Sequence, residues 1–262
     1  MTFVSALIAT KPRWSSLLAT ALPSLMKQVR APDELVVVAD GRKFTETERA
    51  TLLQFTGGLP LRLLQNSRLA GAAGTWNTGL NDIRARHPLA YVAILDDDDE
   101  WDPEHLQCCI EVAEFGKAPA DVVVSGLRLL KDGREIHRSP LASVSIVDFL
   151  VGNPGWQGSN TFATVAVMAR AGNFTDGLPS TNDRDLAIRL LSLDNLDIRF
   201  TGRMTATWHL RHRADALSTA GPREKLLALE RFLDLHKHRM SESVRADFNE
   251  RCKRLFGVTV PN

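Results

Sequence analysis

In the first half of this chain the apolar residues fall into short unbroken runs, each followed by an amphipathic stretch. Residues 3–10, 34–39, 61–65 and 90–95 are such runs. Lacking polar alternation, they read as strands covered on both faces, as in a parallel sheet. Residues 15–29, 45–55 and 75–86 carry helical spacing. The first of these is interrupted at Pro23, and the second opens with Thr45-Glu46-Thr47-Glu48, a cap with early negative charge. Asp102-Pro103-Glu104 predicts one more helix, with Asp102 as N-cap and the proline at the first position. The βαβαβαβ order predicts an α/β fold with a doubly wound, mostly parallel sheet that binds ligands at the carboxyl ends of its strands. Thr10, Asp40 and the acidic run after Leu95 all fall on that rim.

After about Gly116 the rhythm changes. Residues 121–125 and 161–168 read as strands, Lys131-Asp132-Gly133-Arg134 as a turn and 183–193 as a helix. Residues 152–159 are loop, and 221–240 and 241–256 are two amphipathic helices expected to close the core. This predicts a domain over 1–218, with a nucleotide-binding half (1–116) and an acceptor-side half (117–218), followed by C-terminal helices (219–262).

Composition narrows the class. A chain of 262 residues with 44% hydrophobic and 24% charged residues can bury a substantial core, so disorder is not expected. A net charge of +1 with interspersed signs gives no cationic face for nucleic acid. Cys108, Cys109 and Cys252 lack metal-ligand spacing and read as reduced thiols. The apolar start reaches Lys11-Pro12-Arg13 without a basic leader, so it reads as a core strand and not a signal peptide. With no membrane segment, the expected location is cytoplasmic, with peripheral docking at the inner membrane face left open. The closing helices leave dimerisation open as well.

The chemistry concentrates at Asp96-Asp97-Asp98-Asp99. Adjacent carboxylates disfavour one another's ionisation, and such a cluster persists where a cation sits among them. Hard carboxylate oxygens suit Mg²⁺ or Mn²⁺, which commonly hold substrate phosphates too.

Taken with the segments around it, this run resembles the inverting glycosyltransferases of family 2, which have the GT-A fold. The resemblance covers roughly residues 4–218. It is carried by Thr10-Lys11-Pro12-Arg13 after the first strand, Val38-Ala39-Asp40-Gly41, Gly71 followed by Asn77-Thr78-Gly79, and the Leu95 to Pro103 block with Trp101. A later stretch, Asn173-Phe174-Thr175-Asp176-Gly177-Leu178 and Asn182-Asp183-Arg184-Asp185-Leu186, completes it.

The resemblance implies transfer of a sugar from a UDP-, GDP- or dTDP-sugar to a saccharide, lipid-linked or small-molecule acceptor. Asp40 would then accept a hydrogen bond from the base, Thr10 would edge the base pocket, and Asp97 would touch the ribose or sugar. Asp98 would ligate the Mn²⁺ or Mg²⁺ with Asp96 and Asp99 close by. Trp76 stands where the family has an arginine, and Arg68 is the candidate to replace that cation. Asp183 aligns with the catalytic aspartate and is the expected general base, with Asp185 as second choice; an N-cap role for Asp183 is compatible with this. One base without a second nucleophile implies direct displacement with inversion. His209, in Trp208-His209-Leu210-Arg211-His212-Arg213, would complete the metal site, with Arg211 or Arg213 on phosphate. Trp156 and Gln157, with Asn182, would line the acceptor pocket, although Trp156 could instead fill a small core. The rival readings are a phosphatase of the haloacid dehalogenase type, a sugar nucleotidyltransferase and a nucleotide-sugar-binding protein without transferase activity.

Overall fold

The computed structural model describes residues 2–11, 13–210 and 222–260. Four strands, β1 (Val4–Thr10), β2 (Glu34–Ala39), β3 (Leu61–Gln65) and β4 (Tyr91–Asp96), pair in parallel in the order β3-β2-β1-β4. Nearly every residue of β1, β2 and β4 is buried, as their unbroken apolar runs require. The first connection is a single helical run made of α1 (Trp14–Ser16), a π-helical segment (Leu17–Ala21) and α2 (Leu22–Met26). The wider π turn immediately precedes Pro23, which has no amide hydrogen to give to a regular ladder, so the expected interruption is absorbed without a break. The next helix, α3 (Glu46–Thr56), has the expected capping box between Thr45 and Glu48 and stops at Gly57, whose φ of 58° is left-handed. The third is α4 (Ala72–Arg86).

The second half adds β5 (Glu100–Trp101), α5 (His105–Glu114), β6 (Val122–Lys131), β7 (Arg134–Ile136), α6 (Ile146–Val151), β8 (Thr161–Thr164), α7 (Val165–Arg170), α8 (Asn182–Leu191), β9 (Ile198–Leu210), α9 (Pro222–His236) and α10 (Glu242–Phe256). The sheet continues from β4 through β8, β6 and β9 to β5, with β7 paired to β6. β8 runs antiparallel to β4 and β6, and β5 antiparallel to β9, while β6 and β9 are parallel. The turn joining β6 and β7 has positive φ at Asp132 and Gly133, the geometry of a tight hairpin.

Several expectations need correction. The run 161–168 is strand only to Thr164, whose hydroxyl accepts the Val167 amide (3.1 Å) and caps α7. Asp102 does not cap α5; its carboxylate pairs with Arg128 of β6 at 3.1 Å, and the helix begins three residues later. β9 and α6 have no counterpart in the sequence reading. Most of β9 is half-buried, with Gly202 inside it, so neither a clean alternation nor an unbroken apolar run marks it.

Two apolar clusters cover the two faces of the sheet. One packs Leu17, Leu25, Leu52 and Leu106 on one face. The other gathers Leu80, Phe149, Leu186, Phe232 and Phe248, so α9 and α10 close the same core as α4 and α8. Among the described residues no helix is long and apolar enough to cross a membrane.

Glycines in α4 set the spacing near the sheet's carboxyl rim. A Cβ on Gly79 would lie 2.3 Å from Leu7 Cδ1, so the helix rests directly on β1. A Cβ on Gly74 would lie 2.0 Å from the Leu69 carbonyl oxygen, and backbone cannot swing aside as a side chain can. Alanine in a helix interior normally gains about 1 kcal/mol over glycine. At Gly74 overpacking of about 1–3 kcal/mol should outweigh that gain. Gly74→Ala is therefore expected to lower the urea midpoint; an unchanged or raised midpoint would contradict the close approach.

Candidate active site

The carboxyl ends of β1, β2 and β4 open into a cavity of about 390 Å³. The start of α4, residues 151–153 with Gln157, the start of α8, Trp208 of β9 and side chains of α9 and α10 complete its walls. Thr10, Asp40, Asp96, Asp97, Asp98, Gln157, Asn182 and Asp183, distant in sequence, all meet there.

The four consecutive aspartates have separate tasks. Asp97 is buried and accepts the Thr10 hydroxyl at 2.5 Å and Arg13 Nε at 3.1 Å; a second Arg13 nitrogen grips its other oxygen. Burial pushes its carboxyl upward, and Arg13 and Thr10 counter that shift. Asp99, also buried, accepts Ser159 Oγ at 2.6 Å and the His209 amide at 3.1 Å, which ties the end of β4 to β9. Burial and the Asp98 charge push Asp99 up to about 8, against those two hydrogen bonds. Asp96 and Asp98 remain partly exposed on the cavity wall. Asp96 is raised well above the usual carboxylate range, by loss of water and then by the charges of Asp99, Asp183, Asp98 and Asp97. Arg13 Nη1 reaches Asp98 only at 3.4 Å.

These residues suit a hard divalent cation. Carboxylates that raise one another's proton affinity are stabilised as a set by a positive ion. Among the described residues no three His, Cys, Asp or Glu side chains converge into a closed cage. An ion held at this rim would therefore have to take further ligands from phosphate and water.

Asp40 uses both oxygens to hold the rim, accepting Asn66 Nδ2 at 2.8 Å and the Gly71 amide at 2.9 Å. Gly71 adopts φ 121°, a conformation that favours glycine, at the point where the chain turns into α4. Asn77 of the Asn-x-Gly segment donates to the Phe174 carbonyl (2.8 Å) and to Asp176 (2.6 Å), and accepts the Phe174 amide (2.9 Å). Its neighbour Trp76 packs on Phe174, ring centroids 4.6 Å apart, and forms part of the cavity wall.

Asp183 lies in the first turn of α8, following Thr181, a β-branched residue at the rarely adopted φ of 67°. Loss of water raises its carboxyl to about 6, partly offset by hydrogen bonds from the backbone amides of Gly158 and of Asp183 itself. Gly158 has no side chain to keep these groups apart. A Cβ there would lie 3.4 Å from Asp96 Oδ1 and 3.7 Å from Trp76 Cζ2. Asp185 is a different kind of residue. It accepts Thr175 Oγ1 (2.7 Å), Arg189 Nη2 (2.7 Å) and His236 Nε2 (2.9 Å) and does not line the cavity. Burial alone would raise it, but the bonds from His236 and Arg189 hold it at about 2.

Other expected site residues sit elsewhere. Arg68 is 41% exposed, bonds Asp176 at 2.7 Å and does not line the cavity, so it latches a loop instead of supplying the missing family cation. His209 Nε2 lies 3.2 Å from Glu100 Oε1, and the residue is absent from the cavity wall. Trp156 is buried at 3% exposure, bonds Thr161 Oγ1 at 2.8 Å and packs edge-on against Phe149. Asn153 folds that loop inward by accepting the Gly155 and Trp156 amides (2.8 and 2.9 Å), so Trp156 is core and has no face for a sugar. Arg211 and Arg213 lie outside the described residues. Sequence reasoning gave no role to Arg13 or to the wall formed by Lys225 and Arg251. Only Arg13 had a local signal, its place in the Thr10 to Arg13 segment.

A sequence model described as "Glycosyl transferase family 2" matches residues 5–167. The chain is 26% identical over 209 residues to the amylovoran biosynthesis glycosyltransferase AmsB of Erwinia amylovora, covering 75% of this chain and 66% of that protein. Among solved structures, S. aureus TarS 1–349 in complex with UDP-GlcNAc superposes with a TM-score of 0.69 at 18% identity, over 97% of this chain and 74% of that one. The mannosyltransferase PcManGT from Pyrobaculum calidifontis, in complex with GDP-Man and Mn²⁺, gives 0.59 at 13% identity, over 96% and 69%. These likenesses show the GT-A fold.

The two α8 aspartates should separate in a stability measurement. Asp185→Asn breaks a buried ion-pair network and is expected to cost about 3 kcal/mol. Because the folded-state pKa of Asp185 is depressed, its contribution is complete above the ordinary carboxylate value of about 4. It is lost as the pH falls toward about 2. Asp183 has a raised pKa, so its charge opposes folding at neutral pH, and Asp183→Asn should be at least as stable as wild type. Equal losses in the two variants, read by denaturant unfolding at pH 7, would refute this division.

Proposed function

The chain belongs to glycosyl transferase family 2, and from that premise we propose that it moves a sugar from a nucleotide-diphosphate donor to an acceptor hydroxyl with inversion at the anomeric carbon. The observation that carries this reading is one cavity that holds both the carboxylates at the end of β4 and, on a separate element yet near enough for its charge to raise Asp96, the carboxylate of Asp183 at the start of α8. The ligands in the solved fold neighbours, UDP-GlcNAc and GDP-Man, support a nucleotide-sugar donor of this type.

Asp183 acts as the general base. A group with a pKa near 6 is ionised at neutral pH yet basic enough to take a proton as the acceptor hydroxyl attacks. The Gly158 amide fixes its orientation, and the α8 N-terminus supports its charge. Asp185 is excluded from this role by its four hydrogen bonds with three residues, Thr175, Arg189 and His236, and by its depressed pKa. No second carboxylate is needed as a nucleophile, so a single displacement follows. Thr10 and Asp40 form the rim of the nucleotide pocket, and Asp97, pinned by Arg13, keeps the β4 end in register. Asp98 with Asp96 would hold Mg²⁺ or Mn²⁺. When bound, that ion supplies a Lewis acid that stabilises charge on the departing diphosphate. Gln157 and Asn182 face the cavity beside the base and bind the acceptor.

Three outcomes test the assignment. Asp183→Asn should lower transfer by about 10²–10⁴-fold while keeping the thermal shift given by a nucleoside diphosphate; near-normal turnover would remove Asp183 from the mechanism. In wild type, kcat/KM should fall tenfold per pH unit below a limb near the value of about 6 that burial gives Asp183, and stay flat above it. The nucleoside diphosphate's thermal shift should depend on Mg²⁺ or Mn²⁺ and lose that dependence in Asp98→Ala; an identical shift in chelator would argue against the metal.

A further inference from the structure

The helical wall of the cavity carries a cation that the chemistry above does not use. Arg251 of α10 is half-buried and lines the cavity. Its guanidinium lies against the bare backbone of Gly152, where α6 ends. A Cβ at that position would be 2.5 Å from Arg251 Nε and 2.6 Å from Cζ. Among the described residues no carboxylate pairs with it. The charges that act on it are Arg254 and Arg138, both cations, together with the Cys252 thiol. The other arginines of the site are already occupied. Arg13 grips Asp97, and Arg184 donates to the Phe149 and Leu150 carbonyls (both 2.8 Å) while stacking on Phe232 at 4.1 Å.

The position of Arg251 tells which ligand it meets. Both α8, which carries Asp183, and α10, which carries Arg251, pack on α6. Arg184, the residue after Asp183, locks α8 to α6 and to α9 through the contacts just given. Base and cation therefore belong to one helical layer, whereas the carboxylates proposed for the donor's diphosphate belong to the sheet end at β4. In an inverting displacement the acceptor approaches from the base's side and the diphosphate departs from the other. We propose that Arg251 binds an oxyanion, phosphate or carboxylate, carried by the acceptor, and that it makes the enzyme selective for anionic acceptors. This rests on the glycosyl-transfer reading and extends it to the acceptor's chemical class. A guanidinium is suited to the task because its planar fork matches an oxyanion bidentately and stays charged when partly buried. Burial beside two other cations costs energy in the empty cavity, and an arriving anion relieves it.

The test uses the full chain saturated with UDP or GDP and Mg²⁺, so that the diphosphate site is filled. Inorganic phosphate and glucuronate are then titrated, with glucose and sodium chloride of equal ionic strength as controls, and melting temperature is read. Wild type should show a saturable rise of about 2–4 °C with at least one of the two anions and none with the controls. Arg251→Gln should lose that rise while its nucleotide shift is unchanged, and Arg251→Lys should keep part of it. Gly152→Ala provides a second variant, since its methyl group displaces the guanidinium without removing the charge, and it too should weaken the response. The proposal is overturned by an anion response equal in wild type and variants, by none in wild type, or by loss of the nucleotide shift in Arg251→Gln, which would assign the residue to the donor. No nucleotide shift in wild type would instead count against glycosyl transfer. The anion titrations are then read without nucleotide by the same criteria.

Discussion

Repulsion among carboxylates at the end of β4 is the constraint around which the rest of the rim is arranged. Four aspartates follow a strand buried on both faces, where water cannot screen them well. The fold resolves this by sending alternate residues in different directions. Asp97 and Asp99 turn inward and are met by protein donors: Thr10 and Arg13 for one, Ser159 and the His209 amide for the other. Asp96 and Asp98 stay partly exposed at the cavity wall, Asp98 with Arg13 Nη1 at 3.4 Å. The inward pair also fastens β4 to the segment after β1 and to β9, so the electrostatic cost at the tip fixes the relative placement of three parts of the chain.

A second arrangement depends on that first one. Ser159, held by Asp99, sits next to Gly158, whose amide bonds Asp183. The carboxylate cluster and the base are thus linked through two adjacent residues of one short 3-10 turn. Around Gly158, Ile94, Asp96 and Trp76 lie 3.3–3.7 Å from where a Cβ would stand. The raised pKa of Asp183 follows from its burial, which the Gly158 amide only partly offsets.

The sequence made the parallel half of the sheet legible because β1, β2 and β4 are unbroken apolar runs closed by polar residues. It showed Asp40 and Asp96 to Asp98 as polar strand ends and Asp183 through the resemblance to family 2, and all five line the cavity. It missed β9, where half-burial erases the periodic signal, and it extended β8 past Thr164 because Val165 to Met168 are as apolar in a helix as in a strand. Trp156 looked like a loop tryptophan open to a sugar; only the turn built by Asn153 shows that it points inward. Arg68 and His209 were drawn toward the site by their chemistry, yet each has a carboxylate nearby, Asp176 and Glu100, in a contact that no local pattern encodes. Arg251 enters from the far end of the chain, and tertiary packing alone brings it to the cavity.

The bond between Asp185 and His236 has a consequence for the role of α9. It is formed in the same turn of α8 that presents Asp183, and His236 is the last residue of α9. A chain cut ahead of α9 would therefore lose more than a lid on the apolar core. It would strip a buried carboxylate of its imidazole partner two residues from the proton acceptor. The distal helices and the chemistry would then be expected to fail together.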